Sequence, residues 1–203
     1  MASTDNNDVG VQLAHGCRIT HGTGATIKRP FPSAMPDLTM HELSPCNPNG
    51  FRGPLGFIHF STSIRLPRHI HMTPDRTRLL DERILVLHGV GMVEMAGDIW
   101  VVAAGSLADL PGGVPHTWTA CPAGVRLADG TVSEGCFTMV YEYEDATSFF
   151  PTRSTEVVRE VGAYEAWEGE GWEEIRFPLL SREEVVQRAR CVVDKEVCRV
   201  SLA

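Results

Sequence analysis

Between Gly56 and Tyr143 the chain is cut at close intervals by glycine and proline into short segments rich in β-branched and aromatic residues. The segments fall at 57–64, 69–72, 83–87, 91–95, 99–103, 116–119 and 137–143. Short strands at this spacing are the pattern of an antiparallel sandwich or barrel. Ala96-Gly97-Asp98 reads as a hairpin turn joining two of them. The first fifty residues are rich in Gly, Pro, Asn and Ser and read as an arm, able to add an edge strand to the barrel or to a partner. Near the other end, Ser181-Arg-Glu-Glu184 is a capping box followed by Val185, Val186 and Ala189, which predicts a helix over 182–191. A second helix is expected over 155–167, so the tail reads as a helical extension packed on the barrel.

A chain of 203 residues with 43% hydrophobic and 22% charged residues can bury a sizeable core. No apolar run is long enough to span a bilayer. The amino terminus has no basic segment leading into an apolar one, so a secretory leader is not expected and the expected compartment is the cytoplasm. Six cysteines, at 17, 46, 121, 136, 191 and 198, form no C-x-x-C pair and read as reduced thiols packed as small apolar residues. The formal net charge of −8 argues against a nucleic-acid partner. Glu156, Glu160, Glu165, Glu168, Glu170, Glu173 and Glu174 concentrate the acid beyond the barrel, as a solvated surface.

Arg68-His69-Ile70-His71 carries the first chemical signal. Residues two apart on a strand point to one face, so both imidazoles can meet one ion. His15, His21 and His41 lack such a partner and read as solvated or hydrogen-bonded residues.

These residues and two stretches downstream resemble the paired motifs of the cupin superfamily. Gly105, Pro111, Gly113 and His116 match the second motif, with Ala120 in place of its terminal Asn. His69, His71 and the spacing from Glu82 to Gly89 match the first, except that ten residues separate His71 from Glu82. Asp75 stands where the usual short spacing would put the carboxylate. Glu82 is favoured, because Ile84 and Val86 continue its strand face, whereas Asp75 lies in a Thr-Pro-Asp-Arg turn. The resemblance covers residues 51–150 and implies an all-β double-stranded β-helix, the jelly-roll barrel, flanked by an arm (1–50) and a helical extension (151–203). It also implies one divalent metal held by His69, His71, Glu82 and His116, and assembly as a homodimer.

Three imidazoles and one carboxylate suit Fe(II), the favoured ion, as well as Mn, Ni, Co or Zn. Six-coordinate geometry would leave two positions open, the mark of a catalytic metal. Strand parity from Glu82 puts Ile84, Val86 and His88 on one face; parity from His116 adds Trp118 and Ala120, and Phe137, Met139 and Tyr141 share a face of the last strand. The expected pocket is therefore apolar and aromatic, with Trp118, Phe137, Met139 and His59 as substrate-binding candidates. Tyr141 and His88 are the candidates for handling a proton. The resemblance to cupin dioxygenases points to an oxygenase acting on a small aromatic or enolic metabolite. A redox-neutral isomerase, cyclase or lyase is the alternative, and a binding cupin without turnover is a third reading.

Overall fold

The computed structural model describes residues 10–29, 40–43 and 50–203. The leader question rests on residues 1–9, which lie outside this range, as do Cys46 and most of 30–49. The chain is built on strands β1 (Val11–Gln12), β2 (Arg18–Thr20), β3 (Thr26–Lys28), β4 (Met40–Glu42), β5 (Leu55–Ser61), β6 (His69–Met72), β7 (Glu82–Met95) and β8 (Asp98–Ala103). They are followed by β9 (Leu107–Leu110), β10 (His116–Ala120), β11 (Val125–Arg126), β12 (Cys136–Tyr143) and β13 (Ser148–Pro151). Helix α1 (Arg182–Arg188) and strands β14 (Arg190–Val193), β15 (Glu196–Arg199) and β16 (Ser201–Leu202) complete the fold. It is mostly strand, with a nearly closed, barrel-like sheet.

The long strand β7 organises the barrel by serving two sheets. Its first half lies between β9 and β12, and β2 and β5 extend that sheet on either side. Its second half lies between β8 and β10, and β6 and β13 continue outward from β10. Interior side chains from both sheets meet in one cluster, with Phe60, Ile84, Val86, Phe137 and Met139 from the first and Val93, Met95, Trp118 and Ala120 from the second. Ala96 and Gly97 both have positive φ and form the two-residue turn between β7 and β8, as a type I′ hairpin requires.

A β-bulge marks the midpoint of β7. Opposite β12, Thr138 pairs with His88 and Met139 with Val86, so Leu87 is the extra residue. The alternation changes phase there: Ile84 and Val86 face the interior, while Val90 and Met92 face a second apolar cluster on the outside of the barrel.

That second cluster explains why β8 and the end of β7 read as nearly continuous apolar runs: both faces of this part of the sheet are covered. Phe177, Val185, Ala189 and Cys191 of the tail pack there against Val90, Met92, Ile99 and Val101. The tail is not the helical extension anticipated. The capping box forms, with Ser181 Oγ accepting from the Glu184 N–H and the Glu184 carboxylate accepting from the Ser181 N–H. The helix nevertheless stops at Arg188, and Arg190–Val193 instead becomes a strand parallel to β8. The apolar run Cys191-Val192-Val193, with two β-branched valines, has a sheet edge within reach, and tertiary pairing overrides continuation of the helix. Over 155–167 only a 3-10 turn at Val161–Ala163 forms. In the arm, β2 pairs antiparallel with β9, so part of it is a strand of the chain's own sheet.

Among the described residues no helix is long and apolar enough to cross a membrane. Cys17, Cys121, Cys136, Cys191 and Cys198 are free thiols. Burial pushes Cys17 up to about 11 and Cys121 up to about 12, which keeps both as inert thiols.

Candidate metal centre

Strands β6, β7 and β10 bring His69, His71, Glu82 and His116 together at one end of the barrel interior. His69 stands directly opposite His116 in the antiparallel ladder, and His71 follows two residues on, on the same face. Donor nitrogens of the three histidines lie within 4.8 Å of one another. Glu82 Oε2 is 2.9 Å from His116 Nε2 and 3.5 Å from His71 Nε2. All four side chains are buried, at 2% exposure for each histidine and 4% for Glu82. The motif residues before His116 shape this end of the barrel: Gly113 has a φ of 82°, and a β-carbon there would run into the Val158 carbonyl. Asp75 takes no part. It lies on an exposed turn, where it accepts hydrogen bonds from Thr77.

Backbone carbonyls set the orientation of the rings. His69 Nδ1 meets Pro67 O at 2.7 Å, His116 Nδ1 meets Val114 O at 2.9 Å and His71 Nδ1 meets Ser148 O at 3.3 Å. A carbonyl only accepts, so each Nδ1 carries the proton and each Nε2 presents a lone pair. His71 Nε2, His116 Nε2 and Glu82 Oε2 are buried without a hydrogen-bond partner. Acceptors therefore face acceptors at hydrogen-bond distance, an arrangement that is stable only with protons or a cation among them. The backbone contacts are those that fix the tautomer of metal-binding histidines, so the donor set fits a divalent ion.

With protons in place of an ion, burial is the strongest influence on Glu82 and pushes its carboxyl up; the positive charges and hydrogen bonds that His71 and His116 then supply override it and hold the carboxyl well below its usual range. Burial, followed by the charges of His116 and His71, holds His69 well below its ordinary value and leaves it a neutral ligand.

Two aromatic residues missing from the sequence reading flank His71. Tyr143 stands opposite Glu82 across the ladder between β7 and β12, with its ring 4.5 Å from that of His71. Burial, then the charges of Glu82 and Tyr141, push its phenol far up, so it stays protonated. Parity carried two residues past Tyr141 would have found it. Phe149 stands opposite His71 across the ladder between β6 and β13, against the rings of His69 and His71 at 4.5 and 5.3 Å. No local pattern marks it, because its place depends on a pairing between distant segments.

The other candidates divide. Trp118, Phe137 and Met139 lie in the interior, each 1% exposed, with the Trp118 and Phe137 rings 6.0 Å apart. Tyr141 is half-buried, with its ring 5.2 Å from that of Tyr143. His88 and His59 are exposed and lie outside the interior. The bulge at Leu87 ends the parity count before it reaches His88. On β5 the interior position belongs to Phe60, so His59 faces outward and pairs with Thr138 Oγ1 at 2.7 Å. His21 is buried and hydrogen-bonded, between Thr23 and Asp129.

No family model matches the chain. No curated protein matches it either. The solved structures similar to it include proteins described as cupins. A cupin 2 conserved barrel domain protein from Leptotrichia buccalis is 22% identical over 43% of this chain and 33% of that one, with a TM-score of 0.32. A TDP-quinovose 3,4-ketoisomerase from Campylobacter jejuni is 8% identical over 64% and 86%, with a TM-score of 0.38. A salicylate 1,2-dioxygenase from Pseudaminobacter salicylatoxidans is 12% identical over 66% and 28%, with a TM-score of 0.34. The match thus spans about a third of the Leptotrichia protein and less than a third of the dioxygenase.

Proposed function

We propose that this chain is a metal-dependent enzyme whose ion is held by His69, His71, Glu82 and His116, and that it acts as an oxygenase on a small aromatic or enolic metabolite. The observation that carries the reading is the set of buried acceptors, Nε2 of His71 and His116 and Oε2 of Glu82, turned toward one another without a partner. A divalent ion bound there, Fe(II) first among the candidates, would supply Lewis-acid polarisation of a ligand oxygen and, where redox-active, a meeting point for dioxygen.

The chain's own residues would do the rest. Pro67, Ser148 and Val114 hold the three imidazoles through their backbone carbonyls. Trp118, Phe137 and Met139 exclude water from the interior side, which strengthens every charge interaction at the site. Tyr143 takes the proton-handling role expected of Tyr141 or His88. Kept protonated beside Glu82, it is a donor to a developing oxyanion and not a base.

That donor favours the second reading, a redox-neutral isomerase, cyclase or lyase, in which the phenol steadies an enolate by donating a hydrogen bond to it. The two are separated by oxygen uptake and product analysis of the Fe(II)-loaded protein with a panel of planar aromatic and enolic oxygen compounds. Oxygen consumed in step with substrate supports the oxygenase; turnover unchanged under argon replaces it with the redox-neutral reading. Protein that takes up no divalent ion contradicts both.

A further inference from the structure

Two features of Phe149 separate it from the rest of the site. It sits on the ligand histidines, directly opposite His71 with its ring against both His69 and His71. It is also 49% exposed, whereas the histidines beneath it are 2% exposed. One side of the ring is thus committed to the ligand imidazoles and much of the remainder is open to solvent.

Among the described residues the interior side of the site is closely packed. Below the four ligands the barrel is filled by Ile84, Val86, Trp118, Phe137 and Met139, none more than 1% exposed. On the other flank of His71, Tyr143 is 5% exposed and shielded. Among the described residues Phe149 is thus the exposed ring lying against the ligand histidines, and a flat conjugated molecule can lie against its free face while directing an oxygen inward. Offset-stacked and edge-to-face aromatic contacts contribute beyond the area they bury, and they discriminate by shape between planar and non-planar ligands.

Resting on the metal-centre reading above, we infer that Phe149 is the specificity-determining residue of the site, a stacking platform that selects planar conjugated oxygen ligands over small or saturated ones. It is neither a metal ligand nor a proton carrier. Its effect is on binding, so it is measurable without knowing the natural substrate.

The test uses the full-length protein loaded with Co(II), titrated by visible absorption with two probes: 4-nitrocatechol, a planar aromatic molecule that chelates metals through its two adjacent phenolic oxygens, and azide, which is too small to reach the platform. Phe149→Leu keeps apolar bulk and removes the aromatic face, and Phe149→Tyr restores that face. The expected result is 4-nitrocatechol binding weakened about tenfold in Phe149→Leu and within about twofold of wild type in Phe149→Tyr, the size of a lost aromatic contact. Metal content and azide affinity stay unchanged in both. Unchanged 4-nitrocatechol affinity in Phe149→Leu overturns the inference and leaves the metal centre standing. Equal weakening of both probes also overturns it, by showing that Phe149 merely holds the histidines. Wild-type protein that takes up no Co(II) overturns the inference together with the metal-centre reading.

Discussion

Glu82→Gln keeps the side chain's shape while removing its charge, so it isolates what the carboxylate contributes to the cluster. With the anion gone, three neutral imidazoles remain, and affinity for a divalent ion should fall by at least ~10-fold, since even the supporting partners of metal ligands carry effects of that size. Isothermal titration with Mn(II) or Zn(II) reads this directly. The same cluster makes the metal-free protein acid-sensitive. The folded values of His69 and Glu82 lie below their unfolded values of about 6.5 and 4.5, so the unfolded chain binds more protons. Stability from these groups is complete above the unfolded histidine value and declines as pH falls through it and then through the carboxylate range. The urea midpoint of metal-free protein should therefore drop steadily from pH 7.5 to pH 4; a midpoint that is flat or rises on acidification would contradict this electrostatic account.

At the scale of elements, β6 was readable because a His-x-His pair states its own face, and β10 because a dense Gly/Pro motif leads into His116. The first half of β7 was readable by alternation only as far as Val86. Beyond it the bulge at Leu87 reverses the phase, and with no Gly or Pro at the bulge itself the sequence carries no mark of the reversal. The tail shows another limit. The capping box correctly announces where α1 begins, but the end of the helix depends on β8 being available to pair with Arg190 and Cys191. The local signal is still energetically real: Ser181→Ala removes the acceptor for the Glu184 N–H and should cost about 1 kcal/mol in chemical denaturation. No measurable loss would mean that α1 is held by Val185 and its packing alone.

Over the whole molecule, β5 pairs with β12 on one side and with no other strand among the described residues. Leu55 and Phe57 on this edge are each 66% exposed. An edge strand carrying exposed apolar side chains invites pairing unless something covers it. A homodimer across this edge is accordingly the expected assembly, and light scattering should return twice the 22.3 kDa chain mass. Phe57→Lys should return a single chain. A wild-type monomer at micromolar concentration would show instead that the edge is covered within one chain.

The proposed chemistry depends on a divalent ion belonging among the four buried ligands, and elemental analysis after equilibrium dialysis tests that most directly. Protein purified without chelator and dialysed against a micromolar mixture of Fe(II), Mn(II), Co(II), Ni(II) and Zn(II) under argon should retain one ion per chain, while folded His116→Ala retains none. A wild-type chain that comes through dialysis metal-free, or a His116→Ala chain that keeps a full equivalent, would contradict the account.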